Sequence, residues 1–254
     1  MAKLIKNFLY TAASQLLNLF VPLITIPYLS RVLGPQSIGY FSYENSIAFY
    51  FSIFILLGLE NYGNRTIAQV KNDVAKLSKT FWELYIMQLM IGIVIVITFS
   101  IFCCMSADDN ILRWIMIISL ISYCIDINWF YYGLEKFNYV VIRNFVVKIV
   151  TTALILVFVK EPNDIIIYTL LIISGTFIGN LLLWPAVLSQ KCNLCDLNII
   201  QHIKPNLILF IPIISVSLYK YIDKIMLGFL CPIEELGYYE YSEKIIQIPI
   251  SLVN

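Results

Sequence analysis

The chain has 254 residues, 60% of them hydrophobic and 13% charged, with a net charge of +1 and a mean hydropathy of +0.82. Soluble globular proteins are about 45–50% apolar and about 25% charged, so this composition excludes a soluble core and fits an integral membrane protein. The balanced net charge makes no case for a nucleic-acid partner; the placement of the charges is what informs.

Lys3 and Lys6 open the chain, and an uncharged run of 24 residues follows from Asn7 to Ser30. A secretory h-region is only about 7–15 residues long, so the run reads as a retained first membrane helix. About 20 apolar residues cross a hydrocarbon core about 30 Å thick. On that measure spans are predicted at roughly 8–30, 38–59, 81–104, 112–132, 141–159, 165–188 and 207–230. An eighth opens near Gly237 and is cut at Asn254. In the first span Gln15, Asn18 and Pro22 share one helical face, which is either helix–helix glue or cavity lining. Pro22 and Pro27 are expected to kink it, because proline removes an intrahelical bond.

The connections are short. Thr66–Lys79 and Asn198–Lys204 read either as amphipathic surface helices or as plain loops. Aromatic clusters at Tyr40–Tyr43, Phe49–Phe51, Trp129–Tyr132 and Tyr238–Tyr241 read as interfacial belts. With the N-terminus inside, the inner segments hold 11 Lys and Arg residues and the outer segments 3. That bias predicts a cytoplasmic N-terminus.

Cys103, Cys104, Cys124 and Cys231 lie in or beside apolar runs and read as packing residues. Cys192 and Cys195 form a C-x-x-C without a second ligand pair, a weak basis for metal or redox chemistry. One histidine, His202, and the lack of H-E-x-x-H, G-x-S-x-G or a phosphate-binding glycine loop leave no enzyme signature. No cofactor or metal is expected.

Charges inside the spans carry the most information. Each costs about 2.5–3.5 kcal/mol at the bilayer centre, so it should face a bundle interior or a wet cavity. Lys220, Asp223 and Lys224 fall at i, i+3 and i+4 in the seventh span, on one helical face. They form either an internal ion pair or a cationic cavity wall suited to an anionic group. Asp126 is expected either to pair with Arg143 or Lys148 or to act as a protonatable coupling group. Glu44 is either an interfacial residue or a cavity-lining one.

An internal repeat adds to this reading. Gly39-Tyr-Phe-Ser-Tyr43 matches Gly237-Tyr-Tyr-Glu-Tyr241 at an offset of 198. Val32-Leu33-Gly34 matches Met226-Leu227-Gly228 with four extra residues in the later copy. Pro22 and Pro212 each interrupt a helix. Transporters are commonly built from such repeats, with the substrate site between the halves. The predicted fold is an all-α polytopic membrane protein. It has a first six-helix bundle over 1–200 and, over 201–254, the start of a second, duplicated bundle that lacks about four helices.

Four segments together resemble the bacterial O-antigen and polysaccharide-unit flippases of the multidrug/oligosaccharidyl-lipid/polysaccharide exporter superfamily. They are Val21-Pro-Leu-Ile-Thr-Ile-Pro-Tyr-Leu-Ser-Arg-Val-Leu-Gly-Pro35, Glu60-Asn-Tyr-Gly-Asn-Arg-Thr-Ile-Ala68, Asp126-Ile-Asn-Trp-Phe-Tyr-Tyr-Gly-Leu-Glu-Lys-Phe137 and Ser217-Leu-Tyr-x-x-x-Asp-x-x-Met-Leu-Gly228. The resemblance implies two six-helix bundles that move undecaprenyl-diphosphate-linked oligosaccharides across the bacterial cytoplasmic membrane for lipopolysaccharide synthesis. It implies membrane lipid, the lipid-linked substrate and the polymerase and chain-length machinery as partners. Arg143, Lys148, Lys220, Lys224 and Glu44 are then expected along the substrate path, with Asp223 and Asp126 as counter-ions or coupling groups. Against that pattern, the second bundle is expected to be incomplete in this chain. Competing readings are a capsule-unit flippase, a drug or cation antiporter with an acid-dominated cavity, and a membrane transferase or polymerase with a large outer loop.

Overall fold

The computed structural model describes residues 21–106, 110–185, 187 and 197–253. Lys3, Lys6, Gln15, Asn18, Cys192 and Cys195 lie outside them. The described chain is helical throughout. In order come α1 (Val21–Val32), α2 (Gly34–Leu56), α3 (Leu59–Val70), α4 (Val74–Met105), α5 (Ile111–Cys124), α6 (Asn128–Gly133), α7 (Phe137–Phe158), α8 (Ile165–Leu181), α9 (Ile200–Leu230) and α10 (Ile233–Val253). Six stretches are long and apolar enough to cross a membrane: Gly34–Val70, Val74–Met105, Ile111–Gly133, Phe137–Phe158, Pro162–Leu181 and Ile200–Leu230. The protein is an all-α polytopic membrane protein.

Local chemistry sets the helix ends. Gly34 takes φ +72°, a left-handed conformation that glycine adopts without a Cβ penalty, and Pro35 opens α2 with a preset φ. The Asp73 carboxylate caps α4 by accepting the Lys76 amide at 3.1 Å. That bond holds the exposed Asp73 carboxyl below its ordinary pKa. Asn110 caps α5 by accepting the Leu112 amide at 3.1 Å. Within α9, Pro205 and Pro212 each remove one helical donor.

Two segments read as surface helices or loops belong to the spans instead. Thr66–Val70 ends α3, Val74 onward is the first turn of α4, and Ile200 onward is already α9. The short polar stretches are too closely followed by apolar helix to lie apart. Trp129–Tyr132 is likewise no interfacial belt. Trp129, Phe130 and Tyr131 are buried around Phe81, whose ring lies 5.7 Å from Trp129 and 4.7 Å from Phe130. Helix α6 is folded inward against α3, which places those rings in the core.

The core has two parts. One gathers Leu33, Ile38, Ile55, Phe99, Met116, Leu120 and Tyr168. The other gathers Leu59, Ile67, Phe81, Leu84 and Trp129. Helix α2 is the centre of the bundle, packing on α4, α5, α9 and, most extensively, α10. The α2–α10 crossing is backbone against backbone. A Cβ on Gly39 would lie 2.0 Å from the Ile233 carbonyl oxygen, and one on Gly237 would lie 1.9 Å from that of Pro35. Both contacts are reciprocal at the offset of the sequence repeat, since 35 and 39 become 233 and 237.

Candidate functional site

A cleft of about 460 Å³ runs between α1, α7 and α8 and reaches α10. Its floor is one face of α7, where Arg143, Val147, Lys148, Thr151, Thr152 and Ile155 recur at helical spacing. From Arg143 to Ile155 that face extends about 18 Å at 1.5 Å per residue. Val21, Thr25 and Leu29 of α1 and Tyr168, Ile172 and Thr176 of α8 form the walls, and Lys244 enters from α10. Among the described liners the charged groups are three cations and no acid. The hydroxyls of Thr25 and Thr176 bond to backbone carbonyls of their own helices.

Arg143 is held in a polar network. Its Nη1 donates to Asn180 Oδ1 at 2.8 Å, and its Nη2 donates to Asn128 Oδ1. Asn180 in turn donates to the Ser122 carbonyl and hydroxyl at 3.0 and 3.1 Å. Asn128 donates to both oxygens of Asp126, through its amide at 2.8 Å and its side chain at 3.0 Å. Asp126 therefore faces Arg143 through Asn128 rather than pairing with it directly. The break between α5 and α6 makes this possible, and Gln88 fastens the break by donating to the carbonyls of Tyr123 (2.8 Å) and Asp126 (2.9 Å). Gly179 leaves the room, since a Cβ there would stand 3.1 Å from Arg143 Cδ. The Arg143 Nε is buried with no hydrogen-bond partner among the described residues. A buried, unpaired guanidinium donor is costly unless something else accepts from it.

The other sequence-selected residues lie elsewhere. Glu44, 1% exposed, accepts two bonds from Arg113 at 2.8 and 2.9 Å and one from Asn110 at 3.0 Å. It ties α2 to α5 and does not line the cleft. The three charges of α9 separate. Lys224 is 8% exposed, whereas Lys220 and Asp223 are exposed. Asp223 meets the Tyr239 hydroxyl at 3.4 Å, and no ion pair joins it to Lys220. Lys224 reaches Glu240 Oε2 and Glu243 Oε2, both at 2.7 Å. Glu240 also accepts from Ser42 at 2.7 Å and lies 3.1 Å from Lys244.

Lys244, Glu240, Asn128 and Asn180 were not singled out from the sequence. The repeat carried a signal for one of them, because Ser42 and Glu240 are equivalent at its offset and bond to each other. A further buried cluster also escaped notice. Glu83 accepts from the Asn198 amide (2.8 Å) and Gln201 (3.2 Å) and meets His202 at 3.0 Å, while the Tyr62 hydroxyl meets the other ring nitrogen at 2.8 Å. His202 thus joins the start of α9 to α3 and α4.

No solved structure matches the chain. Two curated relatives do. A protein of Escherichia coli (strain K12) named "Putative O-antigen transporter" is 23% identical over 256 residues, covering 98% of this chain and 62% of the relative. A protein of the same name from Shigella dysenteriae is 24% identical over 230 residues, covering 88% and 58%. The chain thus spans about three-fifths of the length of these relatives. A family model described as polysaccharide biosynthesis protein matches residues 4–254, and the chain belongs to that family.

Proposed function

We propose that this chain acts in a flippase. Its cleft takes the diphosphate of an undecaprenyl-linked oligosaccharide, an O-antigen repeat unit, on its way across the bacterial cytoplasmic membrane. The observation that carries the reading is the intramembrane cleft whose charged liners are Arg143, Lys148 and Lys244. Cations at membrane depth are expensive, and Lys244 is met by Glu240 at 3.1 Å. A diphosphate supplies two or more charges and several acceptor oxygens for a guanidinium fork and two ammonium groups. The Arg143 Nε, buried and without an acceptor among the described residues, fits such a ligand. The threonines of α7 continue a polar track beyond the cations, and the polyprenyl tail stays in lipid. Asp126 acts as counter-charge to Arg143 through Asn128.

The names of the curated relatives and the family support transport of a polysaccharide unit. The all-cationic lining argues against an antiporter for cationic drugs, which needs an acidic wall. The bias of Lys and Arg toward one set of loops supports a cytoplasmic N-terminus.

Binding tests the reading directly. The chain in nanodiscs is titrated with undecaprenyl diphosphate and, in parallel, with uncharged undecaprenol. The diphosphate is expected to stabilise the fold by about 2.7 kcal/mol at a hundredfold excess over Kd, and undecaprenol is not. Arg143→Gln with Lys148→Gln should weaken diphosphate binding by at least about tenfold. Equal stabilisation by undecaprenol, or undiminished binding by the double variant, overturns the proposal.

A further inference from the structure

Lys244 belongs to two structures at once. It lines the cleft, and its ammonium is 3.1 Å from Glu240 Oε1. Glu240 is the hub of a cluster that joins three helices. Its Oε2 takes the Ser42 hydroxyl of α2 and the Lys224 ammonium of α9, each at 2.7 Å. Lys224 also lies 2.7 Å from Glu243 Oε2. Two lysines and two glutamates leave the cluster neutral.

The members are not held alike. The side chains of Glu240 and Lys224 are 8% and 10% exposed, whereas that of Lys244 is 31% exposed. The Lys244–Glu240 contact is also the longest of the set. The arm of the cluster that reaches the cleft is therefore its most open and least tightly bonded one, and a lysine is a point charge on a flexible stem.

We propose that Lys244 is exchanged between Glu240 and an anionic headgroup in the cleft, so that filling the cleft withdraws one cation from the cluster that ties α2 to α9 and α10. This rests on the headgroup reading above. With Lys244 turned to the ligand, Glu240 and Glu243 share Lys224 alone and the cluster carries one uncompensated negative charge. The α2–α10 contact is backbone to backbone at Gly39 and Gly237. Polar side-chain ties across it are Ser42–Glu240 and the Tyr241 hydroxyl on the Gly34 carbonyl at 3.3 Å. The Lys244–Glu240 pair lies within α10 itself, at i,i+4, so its exchange releases a clamp on that helix beside the crossing rather than a bond across it. Glu240 and the headgroup compete for one cation, so ligand and cluster oppose each other reciprocally.

Competition gives opposite signs to two neighbouring variants, which a purely structural role does not. In nanodiscs, Lys244→Gln should bind undecaprenyl diphosphate about tenfold more weakly. Glu240→Gln, which frees Lys244, should bind it more tightly than the unaltered chain. Hydrogen exchange of residues 233–247 should rise when the unaltered chain binds the diphosphate, and should not respond in Lys244→Gln. Intact binding without a rise in exchange, or weaker binding by a folded Glu240→Gln, overturns the exchange and leaves the headgroup reading standing. No binding by the unaltered chain overturns both.

Discussion

A carboxylate inside a membrane helix depends on its partner. Glu44 is bonded twice by Arg113 and once by Asn110, and Arg113 is 7% exposed. Removing one member of a buried ion pair strands the other, at a cost of about 3–5 kcal/mol. Glu44→Ala is therefore expected to lose about that much stability in detergent unfolding, and Glu44→Leu combined with Arg113→Leu distinctly less. Sequence reading left Glu44 as an interfacial or a cavity-lining residue and named no partner. Arg113 is 69 residues away, at the start of the predicted fourth span, and hydropathy does not say which neighbouring helix a charge at a span end will meet. Asp126 and Arg143 were legible as a set, since both lie in one short segment. The intervening Asn128 was not, because an uncharged amide next to aromatics gives no signal.

At the scale of helices, the α2–α10 pair is set by two glycines. Gly237→Ala would put a methyl carbon 1.9 Å from the Pro35 carbonyl, and backbone cannot yield there without parting the helices. A loss of about 1–3 kcal/mol is expected, as for other overpacked contacts, and thermal unfolding would measure it. Gly34→Ala, where φ is +72° and space is open, should cost about 1 kcal/mol from backbone strain alone. Helix α4 carries the pH-dependent end. The Asp73 cap lowers that carboxyl's pKa in the folded state, so its contribution is complete above the ordinary carboxylate range. It is lost as pH falls through the depressed folded value. The stability gap between the unaltered chain and Asp73→Ala should accordingly be present at pH 7 and close in strong acid. Span positions were readable because long apolar runs leave little choice. Ends such as Val74 and Ile200 were not, because amphipathic first turns look like surface segments.

For the molecule as a whole, orientation is the open quantity with a direct test. The 11-to-3 distribution of Lys and Arg predicts that a cysteine replacing Lys160 in a cysteine-free background reacts with impermeant maleimide in intact cells, and one replacing Lys136 only after permeabilisation. Equal labelling of both would reject the assignment. The architecture was legible in outline from hydropathy. The cleft was not, because its cations come from α7 and from Lys244 of α10, about a hundred residues apart, and only packing brings them together.

The ion cluster also bears on how the protein enters the membrane. Helix α10 brings Glu234, Glu235, Glu240, Glu243 and Lys244, and each charge near the bilayer centre costs about 2.5–3.5 kcal/mol. Alone it is a poor substrate for lateral release from the translocation channel. Lys224 offsets two of those carboxylates from α9, and Ser42 receives one on α2. The partners of those carboxylates thus lie on helices synthesised earlier. A charge change at Lys224 is expected to lower the yield of membrane-inserted protein, which membrane fractionation would measure.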